Sequence, residues 1–243
     1  MANVSEEGLG NLNGIKKVVD RFHDQVKAYL VLEGLGLGVI FNKALGVRRV
    51  RISIDTAGGH SWGDHGNPSA IHEIARLIVA INSIKLPASP RSSINVGTIQ
   101  GGTTINSIAS HASCDIDVRS IDEITLESIM EQIFRTVDGK LSSGAEIHIS
   151  EIGSRPNGET PENHWLVQLA VQSLNRINIT PVLAIGSTDA SYPMSKKLPA
   201  ICVSITRGGY VHTTKEFIEI EPIKKGLEQI LYIVQHAWDG NNL

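Results

Sequence analysis

The spacing of apolar residues predicts a helix, a strand and a loop over the first 45 residues. An amphipathic helix is predicted at residues 8–22, with Ser5 as its cap, because apolar residues recur there every three or four positions. Residues 27–32 form a short apolar run that predicts a buried strand, and Glu33 follows it directly. Such strands are typical of parallel sheets, which bind ligands at the carboxyl ends of their strands. The glycine-rich residues 35–45 are predicted to be a loop.

The middle of the chain predicts a smaller module of strands and helices. Its first helix is predicted to open with Asn67 as cap and Pro68 at the first helical position. In order, the predicted elements are a strand at 47–54, a helix at 67–81, strands at 93–100 and 107–118, a helix at 125–137 and a strand at 146–152. This β-α-β-β-α-β order is that of a ferredoxin-like domain.

The rest of the chain returns to helices that alternate with short buried strands. It predicts a helix at 165–174, strands at 181–185 and 199–204, and a terminal amphipathic helix at 222–238. We therefore expect an α/β domain, with a mostly parallel sheet and flanking helices, into which an α+β ferredoxin-like domain is inserted. The α/β domain would comprise residues 1–46 and 156–243, and the inserted domain residues 47–155.

Composition narrows the class of protein. The chain has 243 residues, of which 41% are hydrophobic, so it can bury a core in one or two domains. The net charge of −3 and the lack of a basic patch argue against nucleic acid as a partner. No apolar run approaches the roughly 18 residues that span a membrane. The two cysteines lie in apolar strand-like runs and are expected to be buried thiols, so a cytoplasmic location is predicted.

Glu6 and Glu7 are adjacent carboxylates near the start of the chain. Two such groups suit a hydrolytic metal site, in which one holds the metal and the other moves the proton of a bound water. They also suit the start of a helix, where acidic side chains lie at the positive end of the helix dipole. Both interpretations are open for the pair alone.

Glu33 and His212 are further candidate metal ligands. Glu33 follows the first buried strand, and His212 lies in a glycine-containing loop after the strand at 199–204. Each is also typical of an ordinary loop residue. Because both follow strands of the same predicted sheet, we expect them to lie at one edge of it, together with the carboxylate pair.

Four more polar residues suit either chemistry or a structural role. His60, in a Gly-Gly-His-Ser loop, suits a donor to a developing oxyanion or a bond within its own loop. Asn106 suits an oxyanion or substrate donor, or a turn. Arg119 suits a substrate carboxylate or a surface ion pair. Asp189 suits a helix cap or a position beside the site.

Seven short motifs of this chain resemble, in the same order, those of metallopeptidase family 20. This group of co-catalytic zinc peptidases includes aminoacylase, the tripeptidase and carboxypeptidase G-like enzymes. The resemblance extends over nearly the whole chain, and its motifs lie at residues 5–10, 32–34, 58–61, 101–106, 115–119, 186–189 and 208–212.

The resemblance implies a hydrolase with two zinc ions, although cobalt or manganese would accept the same ligands. Glu7 would ligate one ion and Glu33 the other, and His212 would complete the ligands present in this chain. Glu6 would be the general base that activates a metal-bound water and passes its proton to the leaving amine.

The resemblance also implies contacts with substrate and with a second copy. His60 and Asn106 would bind the scissile carbonyl oxygen, Arg119 would bind a substrate carboxylate, and Asp189 would lie beside the substrate. Small peptides or acyl-amino acids would be the substrates, as in an aminopeptidase or dipeptidase. The inserted domain would form a homodimer, with His60 acting in the partner's site.

One departure from the family is large. Members carry a His-x-Asp motif and a metal-bridging Asp ahead of the paired glutamates, and neither is found in this sequence. The chain is therefore interpreted as the carboxyl-terminal portion of such an enzyme, with an incomplete catalytic domain, and is expected to be inactive alone. The alternative is a non-catalytic dimerisation or interaction module derived from such an enzyme.

Overall fold

The structure, a computed structural model, describes residues 1–6, 8–138 and 144–239. Contacts divide the chain into two units. The split unit comprises Met1–Leu45 and Arg155–Leu243, and the inserted unit comprises Gly46–Ser154. Within the described ranges, no helix is long and apolar enough to cross a membrane.

The first stretch of the split unit forms one α-helix and two strands, α1 (Asn13–Phe22), β1 (Tyr29–Leu35) and β2 (Val39–Ala44). The predicted helix start is wrong, since Gly8–Gly10 is a 3₁₀ turn and α1 begins only after Leu12, whose φ is 61°. The expected cap from Ser5 is also wrong, because the residue at the cap position of α1 is Leu12. The predicted loop at 35–45 is wrong as well, because it contains β2.

Over its described residues, 46–138 and 144–154, the inserted unit contains six strands and two helices. In chain order they are β3 (Gly46–Asp55), β4 (Gly59–His60), α2 (Ala70–Asn82), β5 (Ser92–Gly101), β6 (Ser107–Ile108), β7 (His111–Ser120), α3 (Glu123–Asp138) and β8 (Glu146–Arg155). The main sheet has the order β5-β7-β3-β8, and β7 is antiparallel to both β5 and β3. β4 and β6 form a separate two-stranded ribbon. The predicted strand at 107–118 is thus two strands.

Alternation along β3 and β7 explains the core of the inserted unit. Apolar residues at every second position face α2 and α3, and they form one buried cluster with Ile74, Leu77, Ile81, Ile129 and Ile133. α2 begins after Ser69, and the predicted cap at Asn67 is wrong. The amide of Asn67 donates instead to the carbonyl oxygen of Gly58, at 3.1 Å.

The last stretch returns to the split unit. Its elements are β9 (Gly158–Glu159), α4 (Trp165–Arg176), β10 (Val182–Gly186), α5 (Ser191–Ser195), β11 (Ala200–Thr206), β12 (Gly208–Gly209), β13 (Phe217–Ile218) and α6 (Ile223–His236). The sheet has the order β1-β11-β2-β10, with β9 on β2. Two pairings, β1 with β11 and β10 with β2, are parallel, whereas β2 is antiparallel to β11 and β9. The sheet is mixed rather than mostly parallel.

Candidate functional site

The candidate site of the split unit begins on the parallel strands β1 and β11. Glu33 lies within β1, where it pairs with Ser204 of β11, so the prediction that it follows the strand is wrong. Its side chain is half-buried. Both strands run toward the same sheet edge, which is where α/β sheets gather ligand-binding side chains.

The buried thiol of Cys202 shows which acidic residues gather at this edge. Burial and, after it, the negative charges of Glu33, Asp189 and Glu6 together raise the pKa of Cys202 to about 12, although a hydrogen bond with Thr188 opposes the shift. Three carboxylates from distant parts of the sequence therefore lie around one thiol. The high pKa keeps the thiol protonated at neutral pH, so Cys202 is not the nucleophile.

Arg155 holds Glu6 in place, and no sequence pattern pointed to it. Its side chain is only 7% exposed. Nη1 donates to Oε1 of Glu6 at 2.8 Å and to Oγ of Ser187 at 3.0 Å, and Nη2 donates to the backbone oxygen of Glu6. The predicted cluster of acidic residues could have indicated a nearby arginine or lysine, because buried carboxylates need a positively charged partner.

Asp189 is buried beside this ion pair. Asn3 donates its side-chain amide to Oδ2 of Asp189 at 2.8 Å, whereas Oδ1 has no partner within the described part of the chain. Burial raises the pKa of the Asp189 carboxyl, although the Asn3 bond and the charge of Arg155 oppose the shift. The helix-cap interpretation is wrong, because the cap residue of α5 is Ala190 and accepts no capping bond.

The predicted zinc ligands do not assemble into a complete set. His212 is exposed, has a φ of 63° and donates its backbone N–H to Oε2 of Glu216 at 2.9 Å. Glu7 lies outside the described residues. Over residues 1–6, 8–138 and 144–239, no three His, Cys, Asp or Glu side chains converge as a metal site would require. The described residues alone thus do not fit a zinc centre, and no catalytic step is derived through one.

In the inserted unit, His60 and Asn106 come together on the β4–β6 ribbon. His60 pairs with Ser107, and the N–H of Ser61 donates to the carbonyl oxygen of Asn106 at 3.0 Å. Nδ1 of the His60 ring accepts bonds from the N–H groups of Trp62 and Gly63, at 3.2 and 3.3 Å. The neutral ring therefore carries its proton on Nε2, which is a hydrogen-bond donor.

Arg119 is engaged in an ion pair on the open face of the main sheet. Its Nε donates to Oδ1 of Asp117 at 2.6 Å, and the guanidinium is 42% exposed. Asp117 also accepts a bond from Arg49, at 2.9 Å. Of the two interpretations of Arg119 from the sequence, a contact with a substrate carboxylate or a surface ion pair, these contacts correspond to the surface ion pair.

The Asp117 cluster makes the stability of the chain sensitive to acid. Burial raises the pKa of the Asp117 carboxyl, but hydrogen bonds and charges from Arg119 and Arg49 outweigh burial and lower it. A lowered folded pKa stabilises the protein above the unfolded value of about 3.9, and this contribution is lost as pH falls through the folded value. We expect the free energy of unfolding to fall below about pH 4, and Asp117→Asn to flatten this fall. Urea unfolding across pH measures both slopes, and equal slopes contradict the prediction.

A sequence-family model supports the resemblance for the middle of the chain. The model of the M20 peptidase dimerisation domain matches residues 43–145. No curated protein sequence matches the chain.

Solved structures share the fold over almost the whole chain. The aminopeptidase PepT from Bacillus cereus is 22% identical with a TM-score of 0.77, and the match covers 97% of this chain and 63% of PepT. A tripeptidase from Staphylococcus aureus is 20% identical with a TM-score of 0.77, over 97% of this chain and 62% of the tripeptidase. An aminobenzoyl-glutamate utilization protein from Klebsiella pneumoniae is 15% identical with a TM-score of 0.70, over 96% and 59%. The chain spans less than two thirds of each.

Proposed function

We propose that the chain is part of a hydrolase of amide bonds, because the model of the M20 peptidase dimerisation domain matches residues 43–145. The observation that carries the proposal is the gathering of Glu6, Glu33 and Asp189 around the Cys202 thiol. In metal-dependent amide hydrolysis, such acidic groups serve as metal ligands and as a proton carrier.

The metal of this site is proposed to be zinc, with cobalt or manganese as substitutes. Glu7, Glu33 and His212 are the proposed ligands, because carboxylate and imidazole are groups that zinc binds. When bound, the metal would supply Lewis acidity toward the amide carbonyl. Glu6 remains the proposed base, and its contact with Arg155 would fix its position.

The substrates are proposed to be small peptides or acyl-amino acids. The names of the similar structures support this class, since they are an aminopeptidase, a tripeptidase and an aminobenzoyl-glutamate utilization protein. His60 Nε2 and the Asn106 amide are the proposed donors to the scissile carbonyl oxygen. Arg119 and Asp189 are the proposed substrate contacts, and substrate would have to compete with Asp117 for Arg119.

The middle of the chain is proposed to be a ferredoxin-like lid and dimerisation domain of residues 47–155, inserted between residues 1–46 and 156–243. The strand order β5-β7-β3-β8 and the two helices support the ferredoxin-like assignment. The sheet ends in the edge strands β5 and β8, and an edge strand can pair with the same strand of a second copy. A homodimer is therefore proposed.

The 243-residue chain on its own is proposed to have little or no turnover. The support is that no three metal-binding side chains converge within the described ranges. The second candidate function is a non-catalytic dimerisation module, which the match of the dimerisation domain favours. The two differ in what they require of Glu33, because a pure dimerisation module needs no metal ligand there.

Zinc titration by calorimetry tests the role of Glu33. We expect the chain to bind zinc, and Glu33→Gln to weaken this binding by at least about tenfold, because the amide is a poor substitute for a carboxylate ligand. Glu162→Gln is the matched control, since Glu162 is an exposed carboxylate of the same unit. Identical zinc binding by the wild-type and Glu33→Gln chains would favour the dimerisation module instead.

A further inference from the structure

The inserted unit contains a cavity of about 570 Å³ at the amino-terminal end of α2. Its wall has a polar and an apolar part. Ser61, His65, Ser69, His72 and Thr104 contribute hydroxyls and imidazoles, and three isoleucines contribute the apolar wall, namely Ile71, Ile105 and Ile108. A space of this size accommodates a small organic molecule.

The first turn of α2 presents free backbone N–H groups to this cavity. The N–H of Ala70 donates to Ala109 at 2.9 Å, and that of Glu73 donates to Ser69 at 3.0 Å. Between them, the N–H groups of Ile71 and His72 have no acceptor among the described residues, as is usual for the first turn of a helix. Both residues line the cavity. Paired N–H groups at the positive end of a 13-residue helix attract anions.

Ser69 provides an independent sign of a ligand. Its side chain is only 9% exposed, lines the cavity and makes no capping bond to the helix. Serine at this position ordinarily bonds to the N–H of the second or third helical residue. Because Ser69 lines the cavity and its hydroxyl does not cap the helix, that hydroxyl is available as a donor to a bound oxygen.

The residues that line the cavity favour a negatively charged ligand. No Asp, Glu, Lys or Arg is among the residues that line the cavity. Glu73, the acidic residue of the first turn, is buried and paired with Arg76, and it does not line the cavity. The helix end is therefore left without a carboxylate of its own in the cavity to balance its partial positive charge.

We propose that this cavity binds a small organic oxyanion, with a carboxylate or phosphate head and an apolar body. The N–H groups of Ile71 and His72 and the hydroxyl of Ser69 would hold the head. Ile105 and Ile108 would contact the body. The proposal concerns the inserted unit alone, and it requires neither a bound metal nor hydrolysis.

Nuclear magnetic resonance titration of the 243-residue chain tests the proposal. The probes are hexanoate, hexyl phosphate and the uncharged hexanamide. We expect the amide resonances of Ile71 and His72 to shift saturably with at least one anion and not with hexanamide, and the tighter anion identifies the head group. Movement of neither resonance with either anion overturns the proposal, and so does equal binding of hexanamide.

Two substitutions in α2 separate the site from general charge effects. Ser69→Asp is expected to abolish anion binding, because its carboxylate occupies and caps the helix end, and the chain should fold because Asp is a good cap. Ser83→Asp adds the same charge at the other end of α2, where Ser83 bonds to Val79, and is expected to leave binding unchanged. Ser69→Ala should weaken binding about tenfold, since one hydrogen bond to a charged group is lost. Wild-type affinity in Ser69→Asp overturns the proposal.

Discussion

Replacing Arg155 with methionine is expected to lower the free energy of unfolding of the split unit by about 2–3 kcal/mol. The guanidinium is 7% exposed and joins Glu6 to Ser187, two residues far apart in the sequence. Without it, the Glu6 carboxylate, itself 22% exposed, loses its ion-pair partner in a region that already holds Asp189 and Glu33. Urea unfolding followed by tryptophan fluorescence measures the change. Trp165, at the start of α4, is the half-buried reporter of this unit.

Arg119→Met is the matched control for this loss. It removes the same side chain from an ion pair that is 42% exposed, and exposed pairs contribute at most about 1 kcal/mol. A double-mutant cycle with Glu6→Gln isolates the contact itself, and we expect a coupling free energy of about 1–3 kcal/mol between positions 6 and 155. Equal costs for the two arginine substitutions, or zero coupling, would show that Arg155 does not hold Glu6.

Replacing Ile99 with lysine is expected to convert a homodimer into a monomer. Ile99 lies on the edge strand β5 and is 56% exposed, and Val79 on α2, which packs against β5, is 68% exposed. If β5 pairs with β5 of a second copy, each substitution adds a positive charge to the paired edges and replaces an exposed apolar side chain, and both changes oppose pairing. Light scattering should give twice the 26.3 kDa chain mass for the wild type and 26.3 kDa for Ile99→Lys.

The opposite edge of the same sheet provides the control. Ile149 lies on β8 and is 38% exposed, and β8 runs on at Arg155 into the split unit. Ile149→Lys should therefore leave the dimer intact. A dimer that survives Ile99→Lys, or that dissociates in Ile149→Lys, would place the interface elsewhere than on β5.

The elements of the inserted unit were predictable because their hydrophobic periods are clear. Val50, Ile52 and Ile54 alternate as a strand with one buried face must, and the buried positions of α2 recur with the helical period. The predicted helix at 165–174 is likewise confirmed as α4 (Trp165–Arg176). Where a long segment has one clear hydrophobic period, the type of element is predicted correctly and only its end residues differ in the structure.

The wrong predictions concern segments whose local sequence is compatible with two different structures. The stretch that contains β2 is rich in glycine, but Gly36 and Gly38 have φ values of 100° and 106° and form only the turn that precedes the strand. The contact of Arg155 with Glu6 joins residues 149 positions apart, and no local signal encodes such a pairing. The positions of strand ends predicted that Glu33 and the carboxylate pair lie at one sheet edge, but each residue kept a structural alternative, and their chemical roles came only from the resemblance between motifs.

Zinc stoichiometry and peptide turnover, measured together on the 243-residue chain, test most directly the proposal of a peptidase-type site whose metal ligands are incomplete. Calorimetry would count the zinc ions, and the same sample would be assayed for hydrolysis of unblocked di- and tripeptides, with Glu6→Gln as the comparison. We predict fewer than two tightly bound zinc ions and no turnover above that of Glu6→Gln. Tight binding of two zinc ions with robust turnover that Glu6→Gln abolishes would contradict it.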